Sequence, residues 1–466
     1  MITILRKHIE RSTGHKYRQI TSGIQAALAG GDLHPGNRLP PQRELADALG
    51  VTLGTVTRAY QELDRLGLAR GEIGRGTYLI RPKETEFSLQ VLHNRGDSDE
   101  TGLIRFDLNY PVPEGEPDLA AMLTELGREP AMGRMLRYQP TAGLPEHRRA
   151  ACRWLEHQGM ATSAERVAIT TGAQHALFTI LTCRMSPGEA LAVDPYTYPG
   201  IINLARMLHL RLVAIEGDDE GMRPDLLEKA AVTQRLKGVY LIPTLHNPTT
   251  RTMTENRRGE LAEVIRRTNL FLAEDDVYGG MEEQSFLPIS VLIPERGFYV
   301  ANLSKTLAPG LRVGFLVVPE GRMATVEEAM AASIWVNPPL VAEIAGRWID
   351  DGTALKVLTE KKRAAVRRMA LFAQVLQNPQ LVFRPGSLHA WLRLPPAWTG
   401  ETFAREALQR RVLVIPSVNF ATGGHGAEQA VRICIGPPKN EEEIVLGASI
   451  LAAILAEPPR RNPPIM

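Results

Sequence analysis

Hydrophobic positions change period twice along this chain. Between positions 17 and 29 the apolar residues Tyr17, Ile20, Ile24, Ala27 and Leu28 recur at helical spacing, and a stretch rich in Gly and Pro, 30–36, ends the run. Residues 41–50 predict a short helix stopped by Gly50. Val51 and Thr52 supply a turn and an N-cap, and a second helix is predicted over 53–66. Residues 67–70 and 75–79 predict the two strands of a hairpin. Two short helices joined by a tight turn and followed by such a hairpin make a winged helix-turn-helix, here over residues 13–80. From 81 to 105 the sequence turns polar and irregular, as a linker does. Beyond it, short apolar runs at 166–170, 190–193, 211–215, 238–242, 270–273, 298–301 and 314–318 alternate with helix-length segments. That alternation predicts an α/β body over 106–456 with a doubly wound, mostly parallel sheet. After about 333, long helical stretches precede three β-like segments, 381–383, 388–394 and 431–435, predicting a smaller α+β lobe over 333–456. The last residues, 457–466, are rich in Pro and Arg and read as a flexible tail.

Charge sharpens this division. The 466 residues carry a formal net charge of only +2. Residues 1–82, however, hold twelve Lys and Arg against seven Asp and Glu, a surplus of five, which leaves the remainder at −3. A basic head on a mildly acidic body suits an anionic polymer as partner of the head alone. The cysteines, Cys152, Cys183 and Cys434, are odd in number and far apart, which suits neither a disulfide framework nor a zinc site and points to a reducing compartment. Arg6 and Lys7 precede any apolar run, so no secretory signal is expected. The longest apolar stretch, about 445–456, is too short to span a bilayer. A cytoplasmic protein is expected.

The head closely resembles the winged helix-turn-helix of GntR-type regulators. The resemblance rests on Gly36-Asn37-Arg38-Leu39-Pro40, Arg43-Glu44-Leu45-Ala46, Leu49-Gly50-Val51-Thr52, Thr55-Val56-Thr57-Arg58-Ala59-Tyr60 and Gly74-Arg75-Gly76-Thr77. It implies that Arg38, Arg43, Thr52, Thr55, Arg58 and the wing around Arg75 face double-stranded promoter DNA. Where the family usually carries a polar residue just after the turn, this chain has Leu53-Gly54, which leaves Arg43 or Arg58 to carry more of the base reading.

The body's chemistry centres on Asn302-Leu303-Ser304-Lys305, at the end of a predicted buried strand, with Arg312 seven residues further on beyond a Pro-Gly turn. A lysine held among cations in a dry site has a depressed pKa and forms a Schiff base with an aldehyde. A planar guanidinium suits a phosphate. Pyridoxal 5′-phosphate (PLP) joins those two needs to a third, an acid beside its ring nitrogen. Asp275, at the end of another strand and three residues before Tyr278, is the candidate; Tyr278 and Asn247 would hydrogen-bond the ring oxygen. Gly172, Ala173 and Gln174 open a predicted helix whose N-terminal amides can cradle a phosphate. Tyr198 offers a plane for ring stacking. Taken singly, each of these features has a structural explanation, from surface lysine to helix-capping acid to turn tyrosine. Their shared order along the sheet does not.

Together they look like the fold-type I aminotransferase family. That resemblance makes Lys305 the Schiff-base lysine and Asn302 and Ser304 neighbours of the phosphate. Tyr138 matches the tyrosine that reaches the phosphate of the partner subunit's cofactor, and Arg432 the arginine that clamps an amino-acid carboxylate. His389 is read as structural. A GntR-type head fused to such a body resembles the MocR subgroup, which implies a homodimer, domain-swapped, that answers an amino acid or related amine through Schiff-base exchange at Lys305. Two other functions remain open: a true aminotransferase carrying a DNA-binding head, and a regulator for which PLP itself is the effector.

Overall fold

The computed structural model describes residues 16–29, 33, 37–65, 68–72, 76–79, 102–422 and 428–457. They divide into two compact units, residues 1–95 and 96–466. In the first, helices α1 (Lys16–Ala29), α2 (Gln42–Leu49) and α3 (Leu53–Arg65) pack against a hairpin of β1 (Ala69–Glu72) and β2 (Gly76–Leu79). The amphipathic spacing explains the packing: Ile20, Ile24 and Ala27 of α1, Leu45 and Ala46 of α2, and Val56, Ala59, Tyr60 and Leu63 of α3 form one buried cluster closed by Leu79. Gly50 ends α2 in the left-handed region (φ 63°), its N–H returning to Ala46 and Asp47 carbonyls, a conformation that costs any β-carbon. The Thr52 hydroxyl then accepts from Thr55 N–H at 3.3 Å to open α3. Residues 37–39 run beside β2, with Leu39 N donating to Thr77 O and Leu79 N to Asn37 O, each at 2.8 Å. The wing therefore has a third edge that the sequence pattern did not announce.

The second unit is built on a seven-stranded sheet. Its strands are β3 (Val167–Thr170), β4 (Ala190–Val193), β5 (Arg211–Ala214), β6 (Leu236–Leu241), β7 (Phe271–Asp275), β8 (Gly297–Asn302) and β9 (Gly314–Val317). They lie in the order β3-β9-β8-β7-β6-β4-β5. All neighbouring pairs are parallel except those of β9, which is antiparallel to both β8 and β3. The central strands are buried on both faces, which is why they read as unbroken apolar runs. A second sheet, β10 (Leu381–Val382), β11 (His389–Arg393), β12 (Ile415–Pro416) and β13 (Ala430–Cys434), lies in the order β10-β11-β13-β12 and forms the small lobe. Strands of two residues carry little periodicity, and β12 escapes it. So does Ile104–Arg105, counted above with the linker, which pairs in parallel with Val412–Leu413 and belongs to the body. Linker residues 81–101 and the tail from 458 onward lie outside the described residues. Among the described residues no helix is long and apolar enough to cross a membrane.

Candidate functional site

In an open parallel sheet, ligands bind beyond the carboxyl ends of the strands. Every body residue singled out within the sheet's loops falls there. Thr170 ends β3 and is followed by Gly172; Val193 ends β4 and leads to Tyr198; Leu241 ends β6 and leads to Asn247. Asp275 ends β7, and Asn302 ends β8 three residues before Lys305. Because β9 runs the other way, its start lies at the same edge, so Arg312, two residues before β9, arrives beside them.

The three consecutive acids take different work. Glu274 accepts from Ile289 and Ser290 amides at 2.9 and 2.7 Å and so caps a short helix, Ile289–Leu292. Asp276 accepts from Tyr299 Oη at 2.8 Å. Asp275, 3% exposed, accepts from Tyr240 Oη at 2.7 Å on Oδ2, while its buried Oδ1 has no partner. Burial pushes the Asp275 carboxyl up to about 6, against the opposing pull of the Tyr240 hydrogen bond. An unpartnered oxygen on a buried carboxylate is what a protonated ring nitrogen needs.

Lys305 has its ammonium nitrogen on the Asn109 carbonyl. Removal from water lowers its pKa to about 8, with the Arg432 and Arg312 cations acting in the same direction and Cys434 and Asp275 opposing. Tyr278 Oη accepts from Asn109 Nδ2 at 2.8 Å, and burial holds its phenol well above the usual range. The other Asn109 amide contact, 3.2 Å, is to His389 Nδ1, while His389 Nε2 faces the His246 carbonyl at 3.1 Å. Those partners make Nδ1 the acceptor and Nε2 the donor. Burial first, and then the Arg432 charge, drop the His389 pKa to about 3, so the ring stays neutral.

Around the phosphate-sized end, Gly172 caps helix Ala173–Arg184 with φ 81°. A Cβ there would meet Arg312 Nη2 at 2.8 Å. Arg312 is itself left-handed (φ 54°) and exposed. Ser304 Oγ and Gln174 Oε1 are buried without partners, whereas the Asn302 carboxamide oxygen is used by Ser304 N at 3.0 Å. Thr171 is tied to Asn337 by a 2.7 Å hydrogen bond. Tyr198 sits half-buried at the start of helix Pro199–Met207, its phenol raised by burial. Arg432 is engaged within the chain through its two terminal nitrogens, donating to Asn247 Oδ1 at 3.0 Å and to Asp107 O at 2.6 Å, with Phe420 4.8 Å from its carbon and Nε unpartnered. Tyr138 is 84% exposed. The residues present fit PLP: an open acid oxygen, a lysine of lowered pKa, and a glycine cradle beside a guanidinium.

Sequence reasoning missed Asn109 and Tyr240. Asn109 lies in a short aperiodic stretch after the linker and carries no local signal. Tyr240 had one, since a phenol inside a buried strand must find a hydrogen-bond partner.

In the head, Arg38, Arg43, Thr52 and Arg58 are exposed and Thr55 half-exposed. Leu53 and Gly54, at the start of α3, are exposed as well. Arg58 lies over the Tyr17 ring at 4.1 Å. Arg75 falls outside the described residues.

Residues 108–448 match the family model for aminotransferase class I and II, and residues 16–79 that for bacterial regulatory proteins of the gntR family. The HTH-type transcriptional regulator YdeF of Bacillus subtilis is 28% identical over 96% of both chains. The vitamin B6 salvage pathway transcriptional repressor PtsJ of Salmonella typhimurium is 28% identical over 82% of this chain and 86% of its own. Among solved structures, Pyrococcus horikoshii kynurenine aminotransferase, in complex with PMP, superposes with a TM-score of 0.72 at 25% identity, covering 81% of this chain and 95% of that one.

Proposed function

This chain belongs to the class I and II aminotransferase family and, through its gntR-family head, to the MocR subgroup of GntR-type regulators; from that premise we propose that it is a PLP-dependent transcription regulator. Its head, residues 13–80, binds promoter DNA and is joined by a linker, 81–105, to a sensor body, 106–456. The observation that carries the reading is the conjunction of an exposed basic helix-turn-helix face with the Lys305–Asp275 pair on the same chain. When bound, PLP supplies an aldehyde that condenses with Lys305, or with a competing primary amine, and an electron-withdrawing ring. Asp275 holds a proton at the ring nitrogen. Tyr278 and Asn247 would hydrogen-bond the ring oxygen, and Tyr198 would offer its plane to the ring. Gly172, Ala173, Gln174, Asn302, Ser304 and Arg312 hold the phosphate, joined by Tyr138 of a second copy.

Arg432 selects the effector by its carboxylate, exchanging the Asn247 and Asp107 contacts for a bidentate pair. An amino acid or related amine that fits one arrangement of the dimer better than the other shifts the dimer toward it, and with it the spacing of the two heads on DNA. A domain-swapped homodimer reads a repeated half-site. The test is DNA retention by the cofactor-loaded protein on the promoter region beside its own gene, with and without amino acids. A salt-sensitive complex that an amine strengthens or weakens supports the regulator. Steady conversion of amino donor and keto acceptor, with DNA binding indifferent to amines, supports the aminotransferase instead. A second sensory reading, PLP as its own effector, is favoured by the likeness to PtsJ and by both Arg432 terminal nitrogens being engaged without a ligand. In that case PLP alone changes DNA binding and amines add nothing.

A further inference from the structure

A cavity of about 440 Å³ opens in the body between the loops after β4 and β6 and strands β10 and β11 of the small lobe. Its lining includes none of Lys305, Asp275, Arg312 or Arg432. It does include His246 and Thr250, which are 6% and 1% exposed, and each has a buried polar atom with no partner, Nε2 and Oγ1. The nearest acid to His246 Nε2 is Asp194 at 3.6 Å, beyond hydrogen-bond reach. Unpaired polar groups at that depth are costly unless something meets them. The loop that carries them is also unusual: Thr250 is a β-branched residue at φ 62°, and Leu245 stands at φ 48°. Such backbone persists only where its surroundings enforce it, and gathers at functional sites.

The charges at the rim say what would fit. Arg393 is paired with Glu428 at 2.6 Å and Arg384 with Glu282 at 3.3 Å, so both are occupied. Among the described residues Arg251 reaches only the fully exposed Asp219, at 4.0 Å, and is the rim cation left to a ligand. Glu216 lies exposed on the same rim, Asp194 faces the interior, and Trp391 supplies an apolar wall. A cation, acids and an apolar wall lining one cavity match a zwitterion with a hydrophobic side chain.

We propose that this cavity is a second small-molecule site, for a free amino acid with an apolar side chain, separate from the cofactor site and linked to it through the peptide that joins His246 to Asn247. The carboxylate binds Arg251, the ammonium lies toward Asp194 and Glu216, and the side chain packs on Trp391. His246 lines the cavity, while the next residue, Asn247, accepts from Arg432 at 3.0 Å. The His246 carbonyl also accepts from His389 Nε2 at 3.1 Å. A ligand that moves His246 therefore moves groups that hold Arg432 and Tyr278 in place.

The inference rests on the PLP reading only for its link, and its test keeps the two apart. Full-length protein is loaded with PLP and reduced with borohydride, so that no amine can exchange at Lys305. It is then titrated calorimetrically with L-leucine and with L-phenylalanine. Saturable binding of either probe is expected, weakened about tenfold or more by Arg251→Ala and by Glu216→Gln, together with a change in the reduced cofactor's fluorescence. Absence of binding by both probes, or binding that neither variant weakens, overturns the site; binding with unchanged cofactor fluorescence overturns the link. Failure of the PLP reading shows itself separately, as protein that takes up no cofactor, and the titration is run on that protein unchanged.

Discussion

Removing one hydroxyl, in Tyr240→Phe, isolates the step on which cofactor binding turns. Tyr240 donates to Asp275 Oδ2 at 2.7 Å inside the sheet, and that bond is the largest influence opposing the burial that raises Asp275 to about 6. A hydrogen bond to a charged group contributes about 1.5–3 kcal/mol, equivalent to about one to two pKa units. The sign follows from the carboxylate being the form that binds the ring nitrogen. In the parent protein cofactor affinity is full above the Asp275 pKa of about 6 and falls as pH drops through it. In the variant the same fall occurs about one to two pH units higher. At neutral pH the variant therefore binds PLP about two- to tenfold more weakly, and recovers toward parental affinity in alkali. The assay is an absorbance titration with PLP at a series of pH values, beside a thermal melt to show that the sheet is intact. A folded variant with parental affinity and an unshifted pH profile would remove Asp275 from its assigned role.

Other expectations bear on different parts of the molecule. Lys305, with a pKa lowered to about 8, must be neutral to attack an aldehyde, so the rate of covalent PLP uptake by cofactor-free protein should rise with pH and level off above about 8; a rate still climbing toward the ordinary lysine value of 10.5 contradicts the burial argument. Gly172→Ala sets a methyl 2.8 Å from Arg312 Nη2 on backbone at φ 81°, and should lower PLP affinity and cost about 1–3 kcal/mol of stability by thermal denaturation. In the head, Arg43→Ala should weaken DNA binding evenly across sequences with a salt slope smaller by about one if it contacts phosphate, or relax specificity at one position if it reads a base. Thr52→Ala removes the hydroxyl that opens α3 and should cost about 1 kcal/mol in the head; an unchanged melt of the head's transition contradicts that cap.

The strands of the large sheet were legible because burial on both faces makes them short unbroken apolar runs, and helices fill the intervals. Their ends shift by a residue or two where the last residue is polar: β7 continues through Glu274 to Asp275, which the apolar run 270–273 leaves out. The site's main groups were legible because each follows a strand end, where open α/β sheets place their ligands. What could not be read was division of labour. Three adjacent acids look alike in sequence, and only packing shows that Glu274 caps a helix, Asp276 serves Tyr299 and Asp275 keeps an oxygen free. Asn109 joins Tyr278, His389 and Lys305 across the fold through contacts 169, 280 and 196 residues apart, a connection no local pattern encodes. The likeness of Arg432 to a carboxylate clamp was visible; its present engagement by Asn247 and Asp107 was not.

Sensing through PLP stands or falls on the amine of Lys305. Purified protein should be supplied with PLP, treated with borohydride, digested and mapped by mass spectrometry, beside a Lys305→Ala control. The expected result is a visible absorbance band before reduction and a single pyridoxyl adduct on the peptide carrying residue 305, both missing from the control while the control's head still binds DNA. Colourless protein with no adduct at 305, or an adduct formed equally well by the control, would contradict it.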